Sequence, residues 1–191
     1  AMAGFIAWVG LTGTSTISAN AAWMYADRLI PIRDLGYANA AFLIVRADLR
    51  NILLTKSMTE RGKYVAGIAE QVKKYGELMA AYKKTVLVKE EQEVLAKLDP
   101  ALEKYRELRS KAIDLALKGQ DAAALEILNG EAMVQQNEAR QSLRALIDIN
   151  ARLASENEKE NEAAAASART TILIFLGVGV LLAIGMGMLL A

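Results

Sequence analysis

From Leu35 to Leu153 apolar residues return at alternating three- and four-residue steps, a spacing that suits only α-helices with one buried stripe. The first seam is Leu35, Ala38, Phe42, Val45, Leu49 and Ile52. The second is Val65, Ile68, Val72, Tyr75, Met79, Tyr82 and Val86, and the third Leu95, Leu98, Leu102, Tyr105, Leu108, Ala112 and Leu115. A fourth passes through Leu125, Leu128, Ala132, Ala139, Leu143, Leu146 and Leu153. The pattern lapses at Lys56–Thr59, where Ser57 or Thr59 suits a helix cap, and again near Val88-Lys89. Gly119 suits a helix stop and Asp121 a cap for the next helix, while Gly130 breaks the last helix once. Pro100 either kinks the third helix or stands near its start, because it lacks an N–H. Connections this short force neighbouring helices antiparallel, so the sequence predicts an all-α, up-down-up-down four-helix bundle. Tyr75, Tyr82 and Tyr105 fall on the seams and read as core.

The chain is 53% hydrophobic and 24% charged. The two kinds of residue are segregated along it. Thr170 to Ala191 carries no charge, and about 22 residues of helix span roughly 33 Å, enough to cross a hydrocarbon layer of about 30 Å. At the other end the apolar run lasts only about 11 residues before Thr and Ser take over, shorter than a span requires. No basic residue precedes it, so it does not read as a signal peptide. It reads instead as the latter part of a first transmembrane helix, with Trp8 and Trp23 as interface residues. The expected division is therefore 1–18 as the end of a first membrane helix, 19–168 as a helical bundle, and 169–191 as a second membrane helix. Both ends then meet one membrane face, with the bundle on one side of it.

The sequence has no His and no Cys. The usual zinc, haem, copper and iron–sulfur ligands are absent, as are Cys nucleophiles and His bases, so no cofactor, metal site or catalytic residue is expected. A net charge of +1 gives no basic stripe of the kind that binds nucleic acid. The acidic run Ser155–Glu162 lacks the Gly-centred spacing of a calcium loop and reads as a solvated helix face.

Two polar features interrupt the apolar logic. Arg46 and Arg50 stand four residues apart on one helix face, one position beyond the seam residues Val45 and Leu49, and Asn39 shares that flank. On the fourth helix the seam passes through Gln135-Gln136-Asn137, at about the depth of Arg46 counted from the far end of the bundle. Burying an unpaired amide costs roughly 1–3 kcal/mol, so these groups must be wet or bonded. Solvation and pairing with acidic neighbours are the alternatives to a ligand.

Three stretches resemble the sensor region of methyl-accepting chemotaxis receptors, whose ligand-binding domain is a four-helix bundle. Pro31-Ile32-Arg33-Asp34-Leu35 resembles the start of its first soluble helix. Gly119-Gln120-Asp121, with Ala124, Leu125 and Leu128, resembles its turn between third and fourth helices. Ile147, Asn150 and Ala154 resemble a pattern near the end of its fourth helix. The resemblance implies an inner-membrane receptor with residues 19–168 in the periplasm, a homodimer joined through the first helix, and no catalytic activity. It implies a small-molecule ligand, an organic acid or amino acid, or else a periplasmic binding protein that delivers one. It further implies that Arg46 and Arg50 grip carboxylates at the subunit interface, with Asn39 beside them and with Gln136 and Arg140 approaching from the fourth helix. This sequence carries Ala41 where the aspartate-type receptors have a further arginine. Sensor kinases and nucleotide cyclases carry similar bundles, so an input domain of that kind is the alternative, and a purely structural membrane-anchored bundle is another. The stripe Asn39, Leu43, Arg46, Arg50 and Leu53 is the expected dimer face, with Leu43 and Leu53 exposed in a lone bundle.

Overall fold

The computed structural model describes residues 2–190; Ala1 and Ala191, the outer ends of the two apolar segments, lie outside the described residues. Six α-helices follow in order: α1 (Met2–Met24), α2 (Ile30–Leu54), α3 (Met58–Tyr82), α4 (Lys89–Leu117), α5 (Asp121–Asn129) and α6 (Glu131–Leu190). There is no strand among the described residues. The chain divides into two compact units, Leu29–Ala151 and Ala1–Arg28 with Arg152–Ala191.

The unit Leu29–Ala151 is the helical bundle. All six residues of the first seam are buried, none more than 5% exposed. Ile68, Met79 and Tyr82 of α3, Leu95, Leu98 and Tyr105 of α4, and Ala139, Leu143 and Leu146 of α6 close the same core. Each large apolar side chain so buried contributes about 1.5–3 kcal/mol relative to exposure.

Each end of this bundle is held by a buried polar side chain. At one end Arg61, in the first turn of α3 and 4% exposed, reaches three elements. Its guanidinium donates to the Thr55 carbonyl after α2 (2.9 Å), to the Ala116 carbonyl in the last turn of α4, and to both Asp121 oxygens (2.6 and 2.7 Å). At the other end Glu91 accepts from Tyr82 Oη and from Asn150 Nδ2, both at 2.6 Å, and from the Val88 N–H at 2.8 Å. Asn150 Nδ2 also donates to the Leu146 carbonyl at 2.9 Å. The start of α3 meets the end of α4, and the end of α3 meets the start of α4. The helices therefore alternate in direction.

Local chemistry sets the helix ends. Ser57 caps α3, accepting from the Glu60 N–H at 3.4 Å. Gly119 takes φ +75°, a left-handed geometry that costs other residues a Cβ clash. It lets the Gln120 N–H bond the Leu115 carbonyl (2.9 Å) and its own N–H bond Ala116 (3.0 Å), the paired closure of a Schellman turn. Gln120, not Asp121, holds the N-cap position of α5. Asp121 is the first helical residue, and its carboxylate is spent on Arg61. Gly130 does interrupt the last helix, separating α5 from α6. Pro100 sits inside α4.

Two seam residues and one stripe residue depart from expectation. Val86 lies in the turn after α3 ends at Tyr82 and is 63% exposed. Leu125 is 49% exposed because the face that α5 buries runs through Ala124. Leu53 is not exposed: it packs half-buried against the core, while Leu43 and Arg50 do face out.

In the unit Ala1–Arg28 with Arg152–Ala191, the Thr and Ser residues beyond the short apolar run do not end the helix. Thr12, Thr14 and Thr16 turn their hydroxyls back onto the carbonyls of Trp8, Gly10 and Thr12, so α1 continues to Met24. A Cβ on Gly13 would lie 3.4 Å from Ala168, the close approach that small residues permit. Asn20 Nδ2 donates to Asn161 Oδ1 at 2.8 Å, tying α1 to α6. Trp8 is exposed, whereas the half-buried Trp23 ring lies 4.7 Å from the Arg28 guanidinium. A five-residue π-helical turn, Tyr25–Leu29, joins α1 to α2. Pro31 has no N–H for the Asp27 carbonyl, which accepts instead from Arg28 Nη1 at 2.7 Å. Among the described residues one helix is long and apolar enough to cross a membrane, the Glu131–Met188 stretch of α6, and none of its apolar window is buried. The acidic run Ser155–Glu162 is mostly exposed, and only Asn157 and Asn161 turn inward.

Candidate functional site

Arg46 and Arg50 project from α2 one turn apart, and Gln136 comes from the second turn of α6. These three side chains line one small cavity between α2, α4, α5 and α6, of about 50 Å³. That is room for a water or two, not for an amino acid. Leu49, Leu53 and Leu128 form its apolar wall, and Tyr105 enters from α4.

The polar atoms here are unusually bare. Arg46 Nε, Gln136 Nε2 and the Tyr105 hydroxyl are all buried without a hydrogen-bond partner. Neither Arg46 nor Arg50 has a carboxylate within ion-pair distance among the described residues, so pairing with acidic neighbours is not how this chain settles them. Burial pushes the Tyr105 hydroxyl up to about 12, against the opposing pull of Arg109 and Arg46. At neutral pH it is therefore a proton donor. Two guanidinium groups, an amide and a phenol thus border one space, and all four carry N–H or O–H groups of the kind that pair with a carboxylate.

Asn39 and Arg140 do not line this cavity. Asn39 Oδ1 and Arg140 Nε are nonetheless buried atoms without partners, on the same two helices. Arg46, Arg50 and Gln136 are thus brought together, and Asn39 and Arg140 are left to one side. Tyr105 is the lining residue that the heptad pattern hid, because a seam tyrosine looks like core. Counting turns back from the α4–α5 junction, as for Gln136, would have singled it out.

An antiparallel four-helix bundle with a donor-lined depression and a terminal helix that runs on into an uncharged stretch defines a class, the helical sensor bundle. The chain belongs to the family described as the four helix bundle sensory module for signal transduction, which matches residues 1–165. That family is sensory rather than catalytic. No curated protein and no solved structure matches the chain.

Proposed function

We propose that this chain is the extracytoplasmic ligand-sensing part of a transmembrane chemoreceptor in the inner membrane. In this reading 1–18 and 169–191 belong to membrane helices and 19–168 forms the periplasmic sensor. Two copies meet through the Asn39–Arg50 face of α2. A small organic acid or amino acid, free or delivered by a periplasmic binding protein, binds at Arg46, Arg50 and Gln136, flanked by Asn39 and Arg140. Because the cavity within one chain is so small, the ligand sits at its mouth, where Arg50 is exposed and a second subunit can close over it.

One observation carries the proposal: α6 is a single 60-residue helix that includes both Gln136 and the uncharged stretch after Arg169. A ligand drawing on Gln136 acts on the same helix that carries the uncharged stretch. A displacement on the order of 1–2 Å is the usual scale of such signals. The ligand must bind the two positions with different affinity, since otherwise nothing moves.

The test has two arms. A cysteine in place of Asn39 should crosslink to its twin in membranes, and absence of crosslinking at Asn39, Leu43 and Arg50 alike refutes the dimer face. In a calorimetric screen of organic acids and amino acids, Arg50→Ala should remove most of the ligand-induced rise in melting temperature while leaving helicity intact. Equal binding to the Arg46→Ala, Arg50→Ala double variant refutes the site.

A further inference from the structure

A larger cavity, of about 480 Å³, lies within the same bundle between α2, α3 and α4. That volume is in the range of small-molecule sites and is far from the tight packing of a helical core. On α3 two small residues, Gly76 and Ala80, stand one turn apart at its exposed rim. A Cβ built on Gly76 meets nothing within 4 Å.

Three rings shape the inner surface. Phe42 lies 5.3 Å from the Tyr105 ring and 6.3 Å from the Tyr75 ring, centroid to centroid. Both tyrosine hydroxyls are buried and neither has a hydrogen-bond partner. Val45, Val72 and Leu102 supply the apolar remainder.

Lys83, Arg106 and Arg109 line it against Asp99 and Glu103, which leaves the lining one positive charge in excess. Lys83 is spent on Asp99, whose two oxygens both lie 2.7 Å from its Nζ. Arg106 and Arg109, one turn apart on α4, have no ion-pair partner among the described residues. The Arg109 guanidinium stands 6.0 Å from the Tyr105 ring centroid. Burial holds its pKa below the ordinary value, with the neighbouring charge of Arg106 adding to the shift. An anion placed between the two arginines relieves their repulsion while accepting charge-assisted hydrogen bonds from them.

We propose that this cavity is a second binding site, complete within one subunit, for a small monocarboxylic acid with a flat apolar body. The body stacks among Phe42, Tyr75 and Tyr105, and the carboxylate meets Arg106 and Arg109. The site is separate from the α2/α6 site proposed above and does not depend on dimerisation, although Tyr105 lines both.

The probe is 3-phenylpropionate, titrated by calorimetry into the full 191-residue chain in detergent micelles. Saturable binding tighter than about 1 mM is expected. Arg109→Gln should weaken it roughly tenfold or more, and 3-phenylpropionamide, which keeps the shape and loses the charge, should bind weaker by a similar factor. Gly76→Leu should abolish binding by filling the space, with helicity retained because leucine favours a helix over glycine. Ala80→Leu is the second plug should that variant fail to fold. The Arg46→Ala, Arg50→Ala variant should bind the probe as the parent does. Absence of binding, or binding that survives a folded plugged variant, overturns the site. Affinity unchanged in Arg109→Gln or for the amide overturns the carboxylate assignment. Loss of binding in the Arg46, Arg50 double variant moves the ligand to the other site and likewise overturns this one.

Discussion

Replacing Glu91 with alanine removes the acceptor on which one end of the bundle converges. The side chain is fully buried, as is Asn150, and Tyr82 is 1% exposed. In the variant the Tyr82 hydroxyl loses this acceptor, while the Asn150 amide keeps two others, the Leu146 carbonyl at 2.9 Å and Tyr82 Oη at 3.2 Å. Each enclosed donor left so costs about 1–3 kcal/mol. The Val88 N–H lies at the turn, where water replaces the carboxylate, and adds little. The expected loss is therefore about 1–3 kcal/mol, with the void left by the shortened side chain pushing toward the upper end. At about 2–4 °C per kcal/mol for a chain of this length, the melting temperature should fall by roughly 2–12 °C. Far-UV circular dichroism melts in detergent read this directly, with the exposed Glu93→Ala on the same helix as the control, expected within about 0.5 kcal/mol of the parent. A double-mutant cycle with Asn150→Ala should show coupling of about 0.5–3 kcal/mol. If Glu91→Ala melts with Glu93→Ala, or the cycle is additive, the network does not carry the load assigned to it.

The opposite end makes a pH-dependent prediction. Hydrogen bonds from Arg61 hold the Asp121 carboxyl below its ordinary range, so its contribution is present above the unfolded value of about 3.9 and fades as pH falls through the lower folded value. Asp121→Asn should therefore melt below the parent at neutral pH, and the two curves should converge in acid; a gap that persists unchanged at low pH refutes the assignment. Gly119→Ala should cost about 1–2 kcal/mol through its left-handed backbone, measurable by urea denaturation, and a neutral result would mean the turn relaxes to another form.

The first seam was readable from spacing alone because its six members keep an unbroken alternation of three- and four-residue steps along a single helix. Val86 and Leu125 were misassigned by carrying a period past its helix. Tyr82 ends α3 before Val86 is reached, and the Gly130 break sets α5 in a phase of its own, with Ala124 inward. Asp121 has the chemistry of a cap, but a buried arginine 60 positions earlier claims it, and pattern within one helix cannot show that. Around the α2/α6 cavity, Arg46, Arg50 and Gln136 were findable by spacing and depth, whereas Tyr105 was hidden by its seam position. The larger cavity has no signature in any one helix. It arises where small residues of α3 face rings and arginines of two others.

The Asn150–Glu91 hydrogen bond has a geometric consequence for any motion of α6. Were this 2.6 Å bond to lie across the helix axis, it would lengthen only slowly as one partner slid along that axis. It would stay within a 3.5 Å hydrogen-bond limit for a slide of about 2 Å and be lost well before a full turn of 5.4 Å. Sliding of the sort receptors use fits inside that allowance, while a ratchet by a whole turn would leave an amide and a carboxylate stranded among leucines. In the receptor reading proposed above, the network would serve as a mechanical stop on how far α6 travels before the bundle's own interior unpairs.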